Sequence, residues 1–312
     1  MATDPFSDIL NLVSAETVVT GGITAGGQWS IHFPAEDKIK FCAIVKGDCW
    51  ARLEGKDGPV HAEAGDVFLL SAKRSFTLAS DLAITPVPAA NLFTGDLSKF
   101  AKLGDGQDFV QIGGHVQLDP TSGGLLANVL PPLIQVRAGA PQATVLRWIL
   151  DQLVHERAEE LPGANLALAQ LAQLMFIQIL RAHLGTSSPL ATGWLRALGD
   201  KRIAPVLRLM HSNPGRSWHL EELAKAALMS RTTFVVRFKT VAGVPPLTYL
   251  LNWRMRLAER ALRAEDVPMS TLALSLGYAS ESAFSNAFKR AIGIAPKRYR
   301  EAARKHHQEP AP

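Results

Sequence analysis

Cysteine is nearly absent. Cys42 and Cys49 are the only two in 312 residues, too few for a disulfide scaffold and in keeping with a reducing compartment. Metal-ligating clusters are missing too: His32, His61 and His115 are scattered along the chain, with no two ligands at coordination spacing, so no metal site is expected. No nucleophile motif occurs, and Gly21-Gly22 and Gly26-Gly27 lack the strand-then-helix setting in which a glycine loop cradles phosphate. These gaps leave no catalytic residue and no cofactor to assign. Long apolar runs are also wanting. The most apolar segment, Leu166 to Leu184, is broken by Gln170, Gln173, Gln178 and Arg181, and the Met-Ala-Thr-Asp-Pro start has no basic stretch leading into an apolar run. Neither a membrane span nor a secretory signal is expected, and the chain reads as soluble and cytoplasmic.

What is present is unevenly spread. Splitting the chain at Gly199 leaves 14 Lys/Arg and 19 Asp/Glu before it, against 19 and 9 after it, so net charges of −5 and +10. A basic C-terminal third points to a polyanion, nucleic acid first and anionic membrane second. From Val18 to about Val136, short apolar or alternating runs such as Lys40–Val45, Cys49–Leu53 and Val67–Leu70 are punctuated by glycine pairs and turns. Such spacing predicts strands of a sandwich or barrel. After Pro141 the period lengthens to that of helices, over Gln142–Glu156 and from Asn165 to about Leu184, before a polar linker at Gly185–Pro189. The second helix is apolar over much of its circumference and must be buried, either on the strand domain or also against its copy in a dimer.

The C-terminal third holds an internal repeat. "SRTTFVVRFKTVAGVPPLTY" from Ser230 to Tyr249 recurs fifty positions later as "SESAFSNAFKRAIGIAPKRY" from Ser280 to Tyr299. Ser, Phe, Phe-Lys, Gly, Pro and Tyr match in one register. Each Ser can cap a helix. Phe234 and Phe238, like Phe284 and Phe288, lie four residues apart and share one face, which must be core. A short helix precedes each copy, Leu220–Ala227 and Thr271–Leu276, so each copy closes a helix-turn-helix whose second helix can enter a major groove. Leu247 to Arg263 is the longest helix and joins the two.

The residues that carry these features, among them Met229-Ser230-Arg231, Phe238-Lys239, Gly243, Pro246, Trp253-Arg254, Gly277-Tyr278, Ala287-Phe288-Lys289-Arg290, Gly293, Pro296 and Tyr299-Arg300, resemble the DNA-binding domain of the AraC/XylS family of transcription regulators. The resemblance implies two helix-turn-helix units held by one connecting helix, with both recognition helices on one side of promoter DNA. The face opposite the phenylalanines makes Thr232, Val235, Val236, Ser282, Ser285 and Asn286 the base-facing candidates. Arg231, Lys239, Lys289 and Arg290 are the phosphate candidates. Valine can meet only thymine methyls and asparagine pairs with adenine, so A·T-rich contacts are expected. Leu228 stands where the first turn usually has glycine, and His219 where a Thr or Ser cap is usual; Ser270 and Gly277 fit the pattern in the second unit, which is therefore expected to be the better formed.

Upstream, "GGITAGGQW", "IKFCAIVKGDCW" and "EAGDVFLLS" resemble the cupin-type sensor domain of one branch of that family. The resemblance implies a β-barrel able to hold an unknown small effector. The expected class is α+β in two domains: a cupin-like barrel over 1–137, a helical dimerisation segment and linker over 138–199, an all-α double helix-turn-helix over 200–303 and a basic tail over 304–312. Cys42 and Cys49 are redox candidates. If Gly47-Asp48 is a two-residue hairpin turn, they lie on the order of 13 Å apart, beyond disulfide reach. The function expected is an effector-responsive regulator, as a homodimer in contact with RNA polymerase. The alternatives are a cupin enzyme with a helical appendage and a constitutive DNA binder whose barrel only assembles it.

Overall fold

The computed structural model describes residues 4–56, 58–71, 74–93, 100–141, 143–159, 161–185, 192–264 and 266–308. The expected linker, apart from Gly185, and the end of the expected tail lie outside them. The chain divides into two compact units, 14–189 and 190–312 together with 1–13.

The first unit is built on strands β1 (Glu16–Ala25), β2 (Ser30–Phe33), β3 (Ile39–Lys46), β4 (Asp48–Leu53), β5 (Val60–Glu63), β6 (Val67–Leu70), β7 (Phe76–Ala79), β8 (Val87–Pro88), β9 (Phe100–Leu103), β10 (Phe109–Gln117) and β11 (Leu133–Val136). They form two sheets, in the orders β11-β6-β3-β10-β1-β9 and β5-β4-β7-β2-β8. Alternation puts Ile23, Ile44, Phe68 and Phe109 of one sheet and Ile31, Leu53, Phe76 and Leu78 of the other in one buried cluster. Among the described residues the two sheets share no ladder, so the barrel is two facing sheets rather than a closed ring.

Gly47, at a φ of 76°, is the only residue between β3 and β4, and those strands belong to different sheets. The two-residue hairpin expected there is therefore wrong, and the separation of Cys42 and Cys49 argued from it loses its basis. The chain steps from one sheet to the other at Gly47. A side chain there would meet the carbonyl oxygen of Asp108 at 2.3 Å, which is why only glycine fits.

Numbered along the whole chain, the helices of this unit are α2 (Gly124–Ala127), α3 (Ala143–Glu159) and α4 (Ala164–Leu184). Gln173 explains a polar residue in an apolar helix: its side-chain oxygen accepts from Thr17 Oγ1 at 2.9 Å and its amide donates to the Ala15 carbonyl at 2.8 Å, pinning α4 to the start of β1. Among the described residues, α4 alone is long and apolar enough to cross a membrane.

The second unit is all helical. It begins with α1 (Pro5–Leu12), a helix the sequence reading did not foresee, and continues with α5 (Trp194–Gly199), α6 (Ala204–Ser212), α7 (Leu220–Ala226), α8 (Arg231–Ala242), α9 (Pro246–Ala264), α10 (Met269–Ser275), α11 (Glu281–Ile292) and α12 (Pro296–Gln308). Asp4 caps α1 by accepting from the Phe6 and Ser7 amides, and Pro5 presets its first turn. Its buried face, Phe6, Ile9, Leu10 and Leu12, meets α5, α6 and α9. At the centre of that contact is His211, whose Nδ1 lies 3.2 Å from the Asp8 carboxylate and whose Nε2 lies 2.9 Å from the Tyr249 hydroxyl. A carboxylate only accepts, so Nδ1–H donates to Asp8, and Nε2 accepts from Tyr249.

Burial holds His211 below its usual pKa, against the opposing pull of Asp8. Below pH 6.5, the ordinary imidazole value, the unfolded chain takes up a proton that the folded one refuses. Stability from this site is thus complete above that pH and is lost as pH falls through the folded value. Urea melts at pH 7.5 and 5.5 should show weaker folding in acid, and His211→Gln should reduce that difference even though it removes the ring stacked 4.0 Å from Trp253.

Candidate nucleic-acid interface

The repeat is preserved in its main contacts. Ser230 Oγ accepts from the Thr233 amide at 3.3 Å, and Ser280 Oγ from the Ala283 amide at 3.1 Å. Phe234 and Phe238 lie 5.7 Å apart, as do Phe284 and Phe288, and all four are fully buried. Tyr249 and Tyr299 each meet the second phenylalanine edge-on, at 5.8 and 5.6 Å. Gly243 and Gly293 end α8 and α11 at φ 83° and 92°, the left-handed stop. Pro246 and Pro296 then open the next helix.

Burying one face of α8 and α11 leaves the other open. Thr232, Val236, Ser282 and Asn286 are exposed, as are Arg231, Lys239, Lys289 and Arg290. Val235 and Ser285 are half-buried, and Val235 packs against the core of its unit, so of the two valines Val236, 61% exposed, is the one a groove can reach. Arg231 pairs with Glu221 at 3.0 Å, an exposed bridge that a phosphate can displace. Two other arginines are committed to the fold. Arg237 donates twice to Asp200, at 3.1 and 2.8 Å; burial raises the Asp200 pKa, but these bonds and those from the Arg202 and Ile203 amides hold it below the carboxylate range. Arg254 donates to the carbonyls of Pro214 and Arg216, at 2.6 and 2.9 Å.

One helix ties the two helix-turn-helix units together. Leu250 of α9 belongs to the core of the first helix-turn-helix, and Met255, Ala258 and Leu262 to that of the second. The two helix-turn-helix units also touch directly: a Cβ on Gly277 would fall 2.1 Å from the Gly215 carbonyl oxygen, and one on Gly215 would fall 2.4 Å from that of Ser275.

The turns differ as expected at one point and not at another. Leu228 sits at φ 55°, the strained left-handed region, where Gly277 has φ 81°. Because Leu228 is 84% exposed, Leu228→Gly gives up little packing and relieves strain, and a gain of about 0.5–1 kcal/mol in urea melts is expected. Ser270, by contrast, is no cap. Helix α10 starts two residues earlier than expected, with Pro268 at its cap and no side-chain bond there, whereas Glu222 accepts from the His219 amide at 3.2 Å and steadies α7. The cap that was to favour the second unit is therefore missing.

Cys42 and Cys49 are free and buried. Burial pushes the Cys42 thiol up to about 12 and Cys49 higher still, which withholds the thiolate that oxidation needs. Among the described residues no group of three or more His, Cys, Asp or Glu could hold a metal ion.

A helical domain of two matched helix-turn-helix units, each with a polar and basic outer face, defines a DNA-binding protein. Family models agree: one for a cupin domain matches residues 4–185 and one for a helix-turn-helix domain matches 223–302. An AraC-like transcription regulator of Streptomyces antibioticus is 38% identical over 298 residues, covering 96% of this chain and 98% of that one. The regulator AlkR of Acinetobacter baylyi is 29% identical, over 88% of this chain and 92% of its own length. Among solved structures, the DNA-binding domain of AdpA in complex with a target DNA is 31% identical over 36% of this chain and all of that one, at a TM-score of 0.34. The chain belongs to the family of AraC-like transcription regulators. It is a DNA-binding regulator of transcription and not an enzyme.

Proposed function

We propose that the chain is a bacterial, cytoplasmic regulator that works as a homodimer, grips two successive major-groove segments with α8 and α11, and changes its hold on promoter DNA when a small effector enters the two-sheet domain. The observation that carries this reading is the duplicated outer face: Thr232, Val236 and Lys239 in one copy, Ser282, Asn286, Lys289 and Arg290 in the other, all exposed on helices whose opposite faces are locked by paired phenylalanines. Dimerisation is assigned to α3 and α4, where Val145, Trp148 and Leu166 are exposed apolar residues. The altered presentation of the DNA-binding domains would then recruit or block RNA polymerase.

Genomic fragments retained by the purified chain, titrated at rising salt, test the reading. Affinity should fall steeply as log salt increases, by a slope of about 0.9 for each phosphate neutralised. Retention that ignores salt would contradict it.

A further inference from the structure

At one open end of the facing sheets lies a cavity of about 250 Å³. The buried cluster closes it below; at its mouth the lining changes character. The inward face of β10 runs Gln111, Gly113, His115; Gly113 is paired with Gly21 on β1 and Cys42 on β3, and His115 with Lys40 on β3. Gly21 and Gly113 pair directly, so this wall has no side chain of its own where alternation would aim one inward, and the Gln111 amide reaches over Gly113, 2.7 Å from where a Cβ would stand. From the other sheet come Phe33 and Phe76, stacked at 4.6 Å and 8°.

The rim is positively charged. Lys40 stands 5.8 and 5.6 Å from the centres of the Phe33 and Phe76 rings and is mostly buried. Among the described residues, Glu36 is the one carboxylate lining the cavity, and it is shared between Lys40, at 3.3 Å, and Lys38, at 4.0 Å. His115 reads the same field: burial first, then Lys38 and Lys40, hold its pKa down, against Glu36. Among the described lining residues, two ammonium groups thus share one exposed carboxylate beside an apolar slot.

We propose that this mouth binds a small organic monoanion, a carboxylate with a compact apolar body, its charge on Lys38 and Lys40 and its body between the aromatic stack and the glycine wall. The volume is below the ~300–1,000 Å³ of sites for drug-sized ligands, which limits the body to a few carbons or a single ring. The inference rests on the reading of this domain as the effector sensor, and it names the effector's chemistry.

Matched pairs of acid and amide separate charge from shape. Butanoate and benzoate, each against its primary amide, are titrated into the full chain by calorimetry. The acids should bind and the amides should bind about tenfold more weakly or worse, as expected for loss of a charge-assisted bond. Lys40→Gln should weaken the acids by a similar factor. Lys38→Gln, on an exposed residue whose loss does not threaten folding, should weaken them too, while Arg52→Gln leaves binding unchanged. Equal binding of acids and amides, no binding by either acid, or full binding by Lys38→Gln and Lys40→Gln would each overturn the proposal. DNA retention by the same preparations, with its salt slope, reports on the regulator reading independently of these results.

Discussion

Gly277→Ala is expected to lower the stability of the C-terminal unit by about 3 kcal/mol or more, because two separate penalties fall on one methyl group. The residue sits at φ 81°, which an L side chain adopts only under strain. In addition, the new carbon would meet the Gly215 carbonyl oxygen at 2.1 Å and the carbon behind it at 2.8 Å. These are backbone atoms and cannot swing aside. The segment they belong to is clamped by Arg254, which holds the carbonyls of Pro214 and Arg216 and lies 5.9 Å from the Tyr278 ring. The substitution should therefore force the two helix-turn-helix units apart as well as destabilise them, and DNA affinity should fall with stability. Leu228, at the matching place in the first turn, has no such neighbour and is open to solvent. A loss below about 1 kcal/mol for Gly277→Ala in urea melts would mean that the contact is not there.

Asn286→Ala is expected to reduce affinity for the best DNA site by about 1–3 kcal/mol and to relax the preference for adenine at a single base position. The side chain is exposed on α11, two residues after the buried Phe284 and two before the buried Phe288. It can reach a base edge without disturbing the core. Lys289→Ala should behave differently, weakening all sequences about equally and lowering the salt slope by about one phosphate. Binding to site libraries at two salt concentrations separates the two patterns. Loss of affinity without any change in base preference on Asn286→Ala would remove it from the reading face.

The C-terminal domain was legible in the sequence because each repeated residue fixes a local geometry by itself. Ser caps, phenylalanines four apart share a face, glycine stops a helix and proline starts the next. Where a choice depended on distant contacts the reading failed. Nothing near Asp8 signals that it will meet His211, 203 positions away, although Asp4-Pro5 followed by Phe6, Ile9 and Leu10 is a capped amphipathic helix that could have been seen. Gly47-Asp48 has the composition of a hairpin turn, but composition does not say which sheet the next strand joins. Helical spacing gave both Val235 and Val236 to the groove; only packing decides that Val235 turns to the core. Ser270, a residue that commonly caps, stands two positions after Pro268, and the helix began at Met269 with the proline in the cap position. The cavity mouth was hidden for a similar reason, since Lys40, His115 and Phe76 belong to separate strands and meet only through the sheet order.

The central claim is that α8 and α11 read one side of the duplex together. Hydroxyl-radical footprinting on a retained fragment tests it most directly. Two protected patches for each monomer on the same side of the DNA, one helical turn or ~34 Å apart, are expected, and Asn286→Ala with Lys289→Ala should erase only one of them. A single protected groove segment, or patches on opposite sides of the helix, would contradict the account.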